Sequence, residues 1–173
     1  GLVVGISAGV ILVANRSGEI GPTEASVSSP IRSFTVKPSA TDSAISDDNG
    51  EHIVYVPDAP RLNKLFVFMP GTHGVPKRTT YINQTAASVG YHAIDLAYPN
   101  DISAKEGCAG SPNPDCQENM RMEIINGSDI SPIVDVNRSN SIENRLIKLL
   151  EHLVRTRPNQ GWETFVAGDD LPW

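Results

Sequence analysis

The chain has 173 residues, enough for one compact domain that buries about 70% of its unfolded surface. Fourteen Lys and Arg stand against 20 Asp and Glu, a net charge of −6 at pH 7, so the basic footprint of a nucleic-acid binder is absent and no nucleic-acid partner is expected.

Residues 1–14, GLVVGISAGVILVA, carry no charge. A spanning helix needs roughly 20 apolar residues, whereas the apolar core of a signal peptide needs about 7–15, so the segment predicts an export signal or an anchor remnant and no stable membrane span. The expected location is secreted or periplasmic, with membrane anchoring through this segment as the alternative. Within it, Gly5-Ile6-Ser7-Ala8-Gly9 matches G-x-S-x-G, the nucleophile elbow of serine hydrolases. An elbow sets its serine between a core strand and a core helix. Here the helix would run into Asn15, Gly18, Gly21 and Pro22, and residues 15–30, NRSGEIGPTEASVSSP, read as a linker. Ser7 is therefore not expected to be a nucleophile, and residues 31–173 are expected to form the packed domain.

Residues 33–37, SFTVK, alternate at Phe34 and Val36, and residues 52–57, HIVYVP, follow the Asn49-Gly50 turn signal, which predicts an antiparallel pair. The unbroken apolar run 65–69, LFVFM, predicts a strand covered on both faces by helices. Residues 79–89 predict a short helix with Tyr81, Thr85 and Ala86 or Val89 on one side and Gly90 as its stop. Residues 91–98 then read as a strand ended by Pro99. Strand, helix and strand make a right-handed βαβ unit.

Cys108 and Cys116 flank the turn-forming AGSPNPD, which predicts a disulfide, with two buried free thiols as the alternative. Two thiols alone do not complete a zinc site, and neither C-x-x-C nor H-E-x-x-H supplements them, so no metal is expected. Sequons at Asn15, Asn83, Asn126 and Asn137 are compatible with export. Ile142, Leu146, Leu149, Leu150 and Leu153 recur at helical spacing, with Asn140 as the expected cap, Glu143 as its capping-box partner and Pro158 as the stop. Glu143, Arg145, Lys148, Glu151 and Arg155 fall on the remaining faces. Only residues 164–167 offer a strand after this helix.

Other chemistry-bearing residues form weaker constellations. Ser7, Asp95 and His152 follow the order Ser, Asp, His, but Asp95 falls inside a strand and His152 inside an outer helix. His52, His73 and His92 have no metal-ligand spacing. Arg121 and Glu123 read as a structural ion pair or a solvated face.

LFVFMPGTHGVP, ASVGYHAIDLAYPN, the paired cysteines, RMEIING, SIENRLIKLLEHL and GWETFV…LPW, taken in order over residues 64–173, resemble the first half of a secreted α/β-hydrolase-like family, the BPSS1187-type proteins. The resemblance implies an α/β class: an incomplete α/β-hydrolase-like fold with a parallel βαβ core preceded by an antiparallel pair. It places an oxyanion loop at Pro70-Gly71-Thr72-His73-Gly74, with the Thr72 backbone N–H as donor and Gly71, His73 and Gly74 shaping the turn. From the residues alone the same loop also reads as an ordinary glycine turn. The family's G-H-S-x-G elbow would follow LPW, and its acid and histidine would come later, so no nucleophile is expected in this chain.

The implied activity is ester or acyl-bond hydrolysis by the complete molecule, without a cofactor, on a small-molecule or polymeric ester. This chain alone is expected to be inactive and to expose part of the stripe at Ile142, Leu146 and Leu150. The alternative is a non-catalytic secreted binding or structural protein on the same scaffold.

Overall fold

A computed structural model describes residues 31–166 except Asp48 and Ala59. Ser7, the apolar segment 1–14 and the linker 15–30 lie outside the described residues. The antiparallel pair forms as expected: β1 (Arg32–Val36) runs against β2 (His52–Val56), with Phe34 opposite Val54. β2 in turn pairs antiparallel with β4 (His92–Asp95), and β4 pairs parallel with β3 (Leu65–Phe68). The resulting mixed sheet has the order β1-β2-β4-β3.

Among the described residues β3 is an edge strand. Its apolar run predicts cover on both faces, yet all four residues are only half-buried, because helical cover thins out at the sheet's margin. The strand expected over 91–98 pairs only across its first half, although Leu96 and Ala97 remain buried beyond it.

Alternation divides the sheet's side chains between two cores. On one face Val54, Val56, Ile94 and Leu96 meet Leu146, Leu149, Leu150 and Leu153 of α5 (Ile142–Thr156), and Trp162 closes the layer. Each fully buried leucine contributes about 1.5–3 kcal/mol. Leu146 and Leu150, expected to be exposed for want of a complete sheet, are 4% and 2% exposed: the four strands present already cover them. Ile142 is partly buried. The cap of α5 is Ser141, whose Oγ accepts from the Asn144 N–H at 3.3 Å. Asn140 is not the cap. It ends a 3-10 turn, Arg138–Asn140, and its amide is committed to residues far upstream.

On the other face Tyr55 and Ala93 pack against Ala87 of α2 (Thr80–Ser88), with Phe66 and Ile53 beside them. β3, α2 and β4 thus make a parallel βαβ unit. Gly90 ends α2 at φ +100, as expected. The buried side of α2 is not the predicted one, however. Asn83 and Ala87 face inward, whereas Tyr81 is 83% exposed and Val89 59%. A small alanine lets the helix approach the sheet, and a tyrosine at that contact would hold it off. The sequon at Asn83 therefore falls on a fully buried side chain.

After β4 the chain makes an excursion through α3 (Ala104–Gly107) and α4 (Cys116–Asn126), tied together by the Cys108–Cys116 disulfide. Ser103 and Glu106 form a complete capping box at the start of α3. The region expected to offer a thin strand at 164–167 is instead a 3-10 turn, Trp162–Phe165, as far as the described residues run. Trp162 is driven inward by its size, and its ring stands edge-on to His92 at 4.8 Å.

Candidate functional site

The loop at residues 70–74 leaves the carboxyl end of β3, beside the carboxyl end of β4, where crevices form in parallel sheets. Two residues beyond β4 hold it. The Tyr98 hydroxyl donates to the Pro70 carbonyl at 2.6 Å, and burial pushes that phenol above its ordinary range, which keeps it a donor. Asn100 is 5% exposed, and its Nδ2 donates to the carbonyls of Gly71 at 2.9 Å and Gly74 at 3.0 Å. The Asn100 backbone carbonyl accepts from the His73 N–H at 2.9 Å, and Asn49 Nδ2 donates to Asn100 Oδ1 at 2.7 Å. Asn100 is the residue that residue patterning misses. Its one signal is its place directly after the strand-ending Pro99.

The loop itself is tight. The Gly74 N–H donates to the Gly71 carbonyl at 2.7 Å, and a Cβ on Gly74 would sit 2.7 Å from that oxygen and 2.8 Å from Pro70 Cβ. His73 takes a left-handed φ of 59° and is exposed. With His73 and Gly74 so engaged, Thr72 is left with a backbone N–H that makes no hydrogen bond among the described residues. Gly71 shares that property, but Thr72 is the one that lines a cleft, of about 430 Å³, with Met69, Tyr98 and Met120.

Other sequence candidates do not assemble. Asp95 faces the α2 side, where the Thr79 hydroxyl donates to Oδ2 at 2.7 Å, while His152 lies on α5 against the opposite face. Burial pushes the Asp95 carboxyl up to about 6, opposed by the Thr79 hydrogen bond. His52 is buried on β2. Its Nδ1 accepts from the Ala97 N–H at 3.0 Å, and burial, then the Arg145 charge, lower its pKa to about 3, so it is neutral. His92 Nε2 meets the Gln160 carbonyl at 2.6 Å, and burial lowers its pKa. His52 and His92 thus meet separate backbone groups while His73 is exposed on its loop, and among the described residues no three of His, Cys, Asp and Glu converge as metal ligands.

Glu123, expected in a structural ion pair or on a solvated face, and Arg145, expected on an outer face of its helix, are both buried and hold backbone groups. Glu123 is 2% exposed and accepts from the N–H groups of Ile130, Ser131 and Val136 at 3.1, 2.8 and 3.0 Å, while Arg121 is exposed and makes no ion pair with it. Arg145 is fully buried, donating to the Asn140 carbonyl at 2.8 Å and to the carbonyls of Asp47 and Ala97. Its helix faces a loop whose carbonyls need donors, and only a long cation reaches them.

No helix among the described residues is long and apolar enough to cross a membrane. Comparisons of the chain with family models, curated proteins and solved structures give no match.

Proposed function

We propose that this chain is the N-terminal part of a secreted serine-hydrolase-like protein that cleaves ester or related acyl bonds, with the Thr72 N–H as one donor of its oxyanion hole. The observation that carries the reading is the backbone accounting of the loop: the His73 and Gly74 N–H groups are engaged, those of Gly71 and Thr72 are not, and of these two residues Thr72 is the one that lines the cleft. Acyl transfer places negative charge on a carbonyl oxygen, and a fixed donor about 2.7–3.1 Å from it is worth roughly 3–4 kcal/mol. Fixity is what Asn100 and Tyr98 supply. The nucleophile elbow would stand beside β3, whose outer edge pairs with no strand among the described residues, and the acid and histidine would follow it. The disulfide supports an oxidising compartment, whether secreted or periplasmic.

The test is to express the chain with and without the coding sequence that follows Trp173 and to assay short acyl esters. Serine-dependent turnover is expected from the extended protein alone. In it Thr72→Ala keeps the N–H and the activity, whereas Thr72→Pro removes the donor and lowers kcat about 10²–10³-fold with little change in KM. Turnover by the 173-residue chain alone would refute the reading. An inactive extended protein with an intact elbow would favour a non-catalytic binding role on the same scaffold.

A further inference from the structure

The cleft beside Thr72 is built from two kinds of side chain. Its apolar lining comes from Met69 at the end of β3, Ile102, Met120, Ile124 and Ile125 on the excursion, and Ile142 at the start of α5. Met120 is 1% exposed and forms part of the packed wall, while Met69, Ile102 and Ile125 are open to solvent at 47%, 36% and 37%. Into the same space come two cations, Lys105 from α3 and Arg121 from α4.

Neither cation has a carboxylate partner among the described residues, where the ion pairs are Arg32–Asp58, Arg138–Glu143 and Lys148–Glu151. The acids nearest in sequence are engaged elsewhere: Glu106 accepts from the Ser103 hydroxyl at 2.7 Å in the capping box, and Glu123 holds three backbone N–H groups. The lining of the cleft carries these two cations and no carboxylate. A volume of about 430 Å³ lies in the range of small-molecule sites, roughly 300–1,000 Å³.

We propose that this cleft holds an apolar acyl chain bearing a carboxylate, so that the ester handled by the complete protein is one with an anionic, mainly aliphatic acyl part. The inference rests on the oxyanion reading for the word ester, but the cleft's preference for an anionic chain stands on its own lining. Burial of methylene groups against Met120, Ile124 and Ile142 supplies affinity, and Lys105 and Arg121 select the charged chain over a neutral one. The disulfide holds α3 to α4 and so keeps the two cations on one wall.

The experiment uses the full 173-residue chain and reads binding without turnover. Sodium octanoate and octan-1-ol are titrated separately while the methyl signals of Met120, Ile124 and Ile125 are followed by NMR. Octanoate is expected to shift these signals at about three- to tenfold lower concentration than octanol, with the advantage shrinking in high salt. The double substitution Lys105→Gln with Arg121→Gln, at two exposed positions, is expected to bring octanoate to the level of octanol and leave octanol unchanged. Equal binding of the two probes, a double variant that changes neither, or no shift in the cleft with either probe would each overturn the proposal. Those outcomes leave the oxyanion reading intact, while an inactive extended protein whose cleft still prefers octanoate would remove the oxyanion reading alone.

Discussion

Asp95→Asn is expected to stabilise the protein at neutral pH, and the size of the gain follows from the site. Asp95 is fully buried between β4 and α2, with one donor, the Thr79 hydroxyl, on Oδ2 and no partner on Oδ1 among the described residues. Burial outweighs that one hydrogen bond and raises the carboxyl from its ordinary 3.8 to about 6. The unfolded chain therefore releases its proton first as pH rises. Between about pH 4 and 6 the folded state holds more protons than the unfolded state, so stability contributed by this group is full below about pH 4 and is lost as pH rises through about 6. A difference of about two in pKa corresponds to roughly 3 kcal/mol, and relaxation around a buried charge brings the expected cost to about 2 kcal/mol. The amide keeps an oxygen for the Thr79 hydroxyl and carries no charge. Urea unfolding of both proteins in steps from about pH 4 to about pH 8 should show near-equal stability at the acid end and a gap of about 2 kcal/mol favouring the Asp95→Asn variant at the alkaline end. A gap that does not change with pH, or a variant less stable at the alkaline end, would refute the argument.

Replacing Cys108 and Cys116 with serine should cost about 2–3 kcal/mol in the chain-entropy account of a short closed loop, read by the same urea titration, and intact-mass analysis without reductant should find no native thiol open to alkylation. Glu123→Gln presents an NH₂ where a carboxylate oxygen accepted, so at least one of the N–H groups of Ile130, Ser131 and Val136 loses its acceptor. The expected loss is about 1–3 kcal/mol, with faster hydrogen exchange confined to those amides; unchanged exchange there would show that Glu123 does not organise the loop.

Periodicity made the opening antiparallel pair and the Ile142–Thr156 helix legible, because burial on one face leaves a repeat of two or near 3.6 in the residues themselves, whereas the βαβ unit was legible from an unbroken apolar run, a short helix and a second strand in succession. What periodicity cannot carry is position across the sheet. The run at Leu65 reads the same in a central strand and in an edge strand, and only the sheet order shows that among the described residues β3 pairs with β4 alone. In α2 the apolar signal is weak enough that a large Tyr81 outweighs a small Ala87 on paper, whereas packing prefers the small residue against the strands.

The candidate site shows the same division more sharply. Gly71 and Gly74 mark a turn in any reading, since Gly74 sits where a side chain would strike Pro70 and the Gly71 carbonyl. Whether that turn offers a donor depends on which of its amides are already spent: the Gly74 N–H goes to the Gly71 carbonyl within the loop and the His73 N–H to the backbone carbonyl of Asn100, whose side chain also holds the loop's carbonyls across 26 to 30 residues of chain. Arg145 repeats the lesson over a longer span, meeting the Asp47 carbonyl from 98 residues away. Local pattern assigns a charged residue on a helix to solvent, and a distant loop with unsatisfied carbonyls reverses the assignment. Buried polar side chains that hold backbone at a distance leave no periodic trace, yet here they fix the loop on which the proposed chemistry rests. Loss of the Asn100 side-chain amide would release the Gly71 and Gly74 carbonyls at once, so the fixed loop that the proposed role of Thr72 requires is a property of the segment after β4 as much as of the glycines around it.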